Sequence, residues 1–416
     1  MCDFYRKNKD VIEKICALVI AVITVLACIL PMSKLPIWNG EIPEHRNQYE
    51  LITEAFLDGR LSFDYGDEQE LSKLQNPYDP AERRESGVKY HWDHAYYNGK
   101  YYMYFGVVPV FLAFLPYRVI TGKPLTTFRA TQIFTAVFIA GIFLLFWKIR
   151  KRFFKNLPYP LYLALSVAFS VMSVWYASAE PALYCTPITA AIALEVFSIL
   201  FFFQAVYIEK SENKQILWAF AGSLAGALVF GCRPPIGLAS VVVLPMLAVF
   251  LKERKLTPKL FGKLVFAASP YLIVAVCLML YNYARFENPF EFGQAYQLTV
   301  ADQTAYDMSI NAEEIKKISL GISNNLINAV FNFPFLILIF ALVSGKLQGS
   351  LKSENALWLS VSIVISTMII SAVDVLWSPY ILERYRSDIY FLLGIACYLI
   401  LGFWYKAAKS KNCFRP

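Results

Sequence analysis

His91-Trp92-Asp93-His94-Ala95-Tyr96-Tyr97-Asn98-Gly99-Lys100-Tyr101-Tyr102-Met103-Tyr104-Phe105-Gly106-Val107-Val108-Pro109 gathers an acid, two histidines, a tryptophan and five tyrosines ahead of an apolar run. It closes a polar segment, 34–102, that follows one apolar run and precedes a stack of others. How many times the chain crosses a membrane turns on the next residues, 103–121. Pro109 and Pro116 interrupt them, and Arg118 and Lys123 stand near their end. They are therefore expected to form a re-entrant or interfacial helix and not a span.

The 416 residues are 57% hydrophobic and only 17% charged. That balance suits a polytopic helical membrane protein and not a soluble enzyme. The net charge of +8 does not point to nucleic acid, because the basic residues sit in short clusters between apolar runs. This is the pattern of cytoplasmic loops. The eight cysteines are scattered without a CxxC pair, so they read as small buried side chains and not as a disulfide framework. Arg6, Lys7, Lys9 and Lys14 precede an apolar run too long for a signal-peptide core and lacking a small-x-small cleavage site. It reads as an uncleaved first span that starts in the cytoplasm.

Runs of about 20 apolar residues are expected to span at roughly 11–33, 126–147, 158–178, 183–208, 215–232, 236–251, 262–283, 326–344, 356–377 and 388–405. The expected fold is an all-α bundle of about ten transmembrane helices in a single integral membrane domain, 1–416. Basic clusters at 148–155, 210–214, 252–259, 346–352 and 406–415 then share one side. The protein is expected in the cell membrane, multi-pass, with both termini cytoplasmic. Its external parts are a long first loop, 34–125, and a second, 284–325. Within the first loop, Asn47 is expected to cap a helix over 47–58, with Glu50 reaching back to the cap and Gly59 ending it. Tyr49, Ile52, Ala55 and Phe56 share one face, suited to lying on the membrane.

Chemistry concentrates on the external side. All three histidines, His45, His91 and His94, lie in the first loop. Asp93 stands among aromatic residues, where partial desolvation raises basicity. It reads as a general base for a hydroxyl acceptor, or else as a cap or loop hydrogen-bonding group. His91, Asp93 and His94 as metal ligands make a weak signal without regular helical spacing or a second ligand cluster. No metal or other cofactor is assigned. Arg129, Arg233, Arg285 and Arg384 stand at outer span ends, where a guanidinium fork suits a lipid phosphate. Each also reads as an ion-pair partner or a snorkelling side chain. Glu195, in mid-span, reads as a buried hydrogen-bonding group or a proton relay.

Four stretches resemble a known family. They are Asn47 to Leu61, Asp93 to Pro109, Asn282-Tyr283-Ala284-Arg285-Phe286-Glu287-Asn288-Pro289-Phe290-Glu291-Phe292-Gly293, and Arg384-Tyr385 with Asp388. Together they resemble recurrent pieces of the GT-C superfamily of membrane glycosyltransferases, which includes protein O-mannosyltransferases and the aminoarabinose transferase that modifies lipid A. Many members carry an acidic pair shortly before the tyrosine of the first loop helix; here only Glu44 stands near that place. The base is thus Asp93 or Glu44. The resemblance implies a GT-C-like bundle that moves a sugar from a polyprenyl-phosphate donor to a glycan, lipid or protein acceptor at the outer face. It implies substrate contacts from His91, His94, Tyr97, Tyr102, Glu291, Tyr385 and Asp388. The rival expectation is a transporter or lipid flippase, which calls for mid-membrane charges and a repeat between halves. No repeat is evident.

Overall fold

Each apolar run folds as a helix, since a chain inside a bilayer satisfies its backbone polar groups within the segment itself. A computed structural model describes residues 2–34, 47–181, 183–252, 254–305, 311–377 and 382–412. In chain order the elements begin α1 (Cys2–Ile29), α2 (Gln48–Leu57), α3 (Pro80–Ser86), β1 (Ala95–Tyr97), β2 (Lys100–Tyr102) and α4 (Leu115–Thr121). The bundle continues with α5 (Thr127–Phe153), α6 (Tyr159–Ala179), α7 (Cys185–Phe203), α8 (Glu212–Phe230), α9 (Pro234–Gly237), α10 (Val243–Leu251) and α11 (Pro258–Phe286). Then come α12 (Ala312–Asn332), α13 (Gly345–Ser353), α14 (Leu357–Trp377) and α15 (Ser387–Asn412). Among the described residues eight helices are long and apolar enough to cross a bilayer, or nine if one bent pair counts as a span. The chain is an all-α polytopic membrane protein.

Two of the ten expected spans differ. The run 215–232 is helical, as α8, but its polar first turn and its glycines leave it less apolar than the others. It still runs between α7 and α11. The run 326–344 is not one helix. Pro334 lacks an N–H and clashes with the preceding turn, so α12 stops at Asn332. The chain continues as Pro334–Val343 and then turns by 81° into Gly345–Ser353. α7 and α15 form the buried centre; α1 and α11 lie at the periphery with apolar side chains exposed.

Helix ends sort into two groups. At one end Lys151 meets Asp10, Arg150 meets the buried Glu13 at 3.1 Å, and Arg152 and Lys406 share Glu354. The basic clusters at 148–155, 252–259 and 406 therefore gather at this end. The other end carries 47–125, 284–305 and 382–388.

At that second end the 103–121 stretch does not cross. Its helical part, Val110–Thr121, is about 18 Å long at 1.5 Å per residue, against about 30 Å of hydrocarbon. It covers α2. Tyr49 stacks on Phe114 (centroids 5.1 Å) and Phe56 on Phe111 (5.6 Å), while Arg118 Nε donates to Glu54 at 2.6 Å. The apolar face of α2 is therefore buried against protein and not laid on the membrane. The exposed apolar surface belongs to Val110–Thr121, through Leu112, Val119 and Ile120. The expected cap also differs. Asn47 makes no side-chain cap bond, and Glu50 reaches forward, accepting from the N–H and hydroxyl of Thr127 at the start of α5. A carboxylate at another helix's N-terminus satisfies free N–H groups there. Gly59, at φ 72°, ends α2 as expected.

Burial pushes the Glu50 carboxyl up from 4.5 to about 7, against the lowering effect of the Thr127 bonds. A raised carboxyl favours the fold while protonated. That stability is fully present below about pH 4.5 and is lost as the pH rises through 7, on the order of 3 kcal/mol. Thermal unfolding of the detergent-solubilised protein should show this decline. Glu50→Gln should flatten it; an unchanged slope would place the titrating group elsewhere.

Candidate functional site

Asn98-Gly99 turns the chain between β1 and β2, with φ of 48° and 72°. Two positive-φ residues make the tight hairpin turn that Asn-Gly favours. On its open edge β1 meets the loop after α11: Tyr96 N donates to Tyr296 O (2.9 Å), Leu298 N to His94 O (2.9 Å) and Asp93 N to Leu298 O (3.1 Å). This makeshift third strand sets Gln297 beside Asp93. Gln297 Nε2 donates to Asp93 Oδ1 (3.1 Å) and to the Tyr104 hydroxyl (2.6 Å). The Tyr184 hydroxyl, just before α7, donates to Asp93 Oδ2. Asp93 itself has φ 58°, an uncommon backbone state that persists only where surroundings enforce it. Gln48 Nε2 adds a bond to its carbonyl (2.9 Å). Asp93 is 6% exposed, and among the described residues it makes no ion pair.

Asp93 lines a cavity of about 390 Å³ between the hairpin, the 294–303 loop and the ends of α7, α9 and α14. Gly106 lets two backbones close over its wall: a Cβ there would strike the carbonyls of Gly231 and Cys232. Burial and the nearby Asp93 charge hold the Tyr104 hydroxyl well above its usual range, so it remains a neutral donor.

The four arginines separate. Arg233 enters the cavity wall but is engaged by acids: its Nε donates to Asp388 Oδ2 at 2.5 Å, and its Nη2 lies 3.9 Å from Asp374 Oδ1. Both acids are buried, at 0% and 3% exposure, and Asp374 lines the cavity. Arg384 also lines it, lying over the Tyr184 ring at 4.0 Å with no ion pair among the described residues. Tyr385 lies beneath both guanidiniums. Arg285 does not reach this cavity. It donates to Met103 O (2.6 Å) and Asn282 Oδ1 (2.8 Å), stacks on Tyr281, and borders an adjoining pocket of about 50 Å³. Arg129 is exposed on α5 beside Gln132, away from the cavity lining.

Among the remaining expected contacts, His91 pairs with Asp67 (3.1 Å) and stacks on Tyr65. His94 is fully buried, with Nε2 2.8 Å from the Tyr65 hydroxyl and Nδ1 2.9 Å from Trp92 O. Both imidazoles brace the loop and are engaged by protein groups. Tyr97 and Tyr102 pack edge-on to Phe286, and Glu291 accepts from the N–H groups of Gly293 and Ala295, closing its own turn. None of these lines the main cavity. Glu44 and His45 lie outside the described residues. Residues missed from sequence are Tyr104, Tyr184, Gln297 and Asp374. Only Asp374 carried a signal, as an acid within an apolar run. Compared with known families, curated proteins and solved structures, the chain gives no match.

Arg233→Ala should cost on the order of 3–5 kcal/mol, because two buried acids lose their counter-cation. Adding Asp388→Asn should recover part of it. Unfolding midpoints of the single and double variants measure this coupling, and equal loss in both would mean that Arg233 acts through packing on Tyr385.

Proposed function

We propose that the chain is a GT-C-like glycosyltransferase, taking a sugar from a polyprenyl-phosphate donor to an acceptor hydroxyl at the outer face. The observation that carries this is one cavity holding both a guanidinium, Arg384, with no ion pair among the described residues, and a carboxylate, Asp93, bonded among them only by neutral donors. A cavity of this size suits a sugar and its phosphate, and it lies at the membrane-boundary end, where a lipid donor arrives. The resemblance of the four sequence stretches supports the same reading.

In this reading Asp93 accepts the proton of the acceptor hydroxyl. The acceptor oxygen bonds to the anomeric carbon as the bond from that carbon to the phosphate oxygen breaks. The electron pair leaves with polyprenyl phosphate, whose growing charge faces Arg384. Each Asp93 oxygen receives one described hydrogen bond, and a carboxylate oxygen has two lone pairs, so capacity for the substrate proton remains. Arg233 shapes the wall between Asp374 and Asp388 and is not free to grip phosphate by itself.

Asp93→Asn should fold and bind donor while losing on the order of 10²–10⁴ in transfer rate in membranes with matched protein levels. Arg384→Ala should weaken donor binding, with Arg384→Lys only partly restoring it because the fork is lost. Normal transfer by Asp93→Asn would remove the chemical centre of this reading.

The second reading, a transporter or flippase, has one observation in its favour: Arg233, Asp374 and Asp388 are charges at span ends, and Glu195 is buried in α7 with neither carboxylate oxygen bonded to a described group. It requires substrate movement that depends on these acids and survives Asp93→Asn.

The orientation follows from the basic end facing the cytoplasm. A cysteine placed at Ser62 should react with an impermeant thiol reagent in intact cells, and one at Asn156 should not. External reaction at Asn156 would invert the topology.

A further inference from the structure

A second concavity lies at the basic end, far along the bundle from Asp93. It is a groove of about 760 Å³ between α10 and α14, walled by apolar side chains such as Leu244, Ala248, Trp358 and Ile365. Lys252 and Lys352 stand at its mouth. Of the acids nearest in sequence, Glu253 lies outside the described residues, and Glu354 is already shared by Arg152 (3.1 Å) and Lys406. Among the described residues neither lysine makes an ion pair. The mouth is also held in shape. Asn355 adopts φ 56°, its side-chain oxygen accepts from Lys252 Nζ at 3.1 Å, and its carbonyl accepts from the Tyr207 hydroxyl at 3.0 Å.

We propose that this groove binds an anionic phospholipid, with an acyl chain between α10 and α14 and the headgroup phosphate at Lys252 and Lys352. The wall is apolar where the groove faces hydrocarbon, which a free phosphate cannot use. The mouth carries two lysines, Lys252 and Lys352, that make no ion pair among the described residues, and basic residues at headgroup level favour anionic lipids. A zwitterionic headgroup brings its own cation to two lysines and is disfavoured there. Trp358 is 70% exposed along the groove, so it reports on what fills it. The site is independent of the chemistry at Asp93.

The test uses the full chain in phosphatidylcholine vesicles containing a minor fraction of lipid with brominated acyl chains. The brominated lipid is phosphatidylglycerol in one arm and phosphatidylcholine in the other. The Trp358 signal is the difference between the native protein and Trp358→Phe. Brominated phosphatidylglycerol should quench that signal in preference to brominated phosphatidylcholine, on the order of ten-fold in effective affinity for two lysines. The preference should vanish in Lys252→Gln/Lys352→Gln. Equal quenching by both lipids would mean that bulk lipid covers the groove and would overturn the proposal. So would a preference that survives the double variant, or no quenching of Trp358 by either lipid.

Discussion

The 2.5 Å bond from Arg233 to Asp388 is the constraint on which the cavity end of the bundle depends. A guanidinium and a carboxylate taken out of water lose several kcal/mol each, and only close geometry with further bonds restores it. Here the pair ties the turn before α9 to the start of α15, and Asp374 draws the end of α14 toward the same guanidinium. Three separate stretches are thereby fixed around one charge. The cavity is the space that remains between them and the hairpin. Because Arg233 is spent on this task, Arg384 is, among the described residues, the cation left facing the cavity without an acid.

The hairpin side is held by other means. Among the described residues no charge pair holds Asp93; backbone bonds from 296–298 fasten β1, and Gln297 and Tyr184 fasten the Asp93 side chain. This explains why Asp93 keeps an unfavourable φ. Neighbours on both sides of it in sequence are already fixed, His94 by its buried ring and Trp92 by its carbonyl bond to that ring. A residue so bracketed has no lower-energy conformer that preserves the bridge to Leu298.

The bundle was legible in the sequence because a bilayer imposes length and apolarity on each span, and both can be read locally. The fate of 103–121 was legible for the same reason, through Pro109, Pro116 and Arg118. The break at Pro334 was written in the sequence as well, but an apolar window hides a proline that a φ restriction makes decisive. Asn98-Gly99 carries a hairpin signal that the helical reading of the chain passed over. The pairing partners were not legible. Gln297 lies 204 residues from Asp93, and Glu50 lies 77 from Thr127; no local pattern links them. The arginines looked alike in sequence because each stands at a span end. Only the packing separates Arg285, used to hold a loop carbonyl, from Arg384, exposed to the cavity.

Two acids are held in different ways around the cavity: Asp93 lines it, and Asp388 grips the lining Arg233. Asp388 faces the Arg233 guanidinium at 2.5 Å and is committed to holding it in place. Among the described residues the Asp93 carboxylate receives bonds only from a hydroxyl and an amide, which orient it without supplying a full positive charge. The cations divide in the same way. Arg384 lies over the face of Tyr184, whose hydroxyl donates to Asp93. The ring stands between the carboxylate and the guanidinium, and both line the cavity. That separation suits the proposed reaction, in which a hydroxyl proton and a developing phosphate charge stand at opposite ends of the substrate.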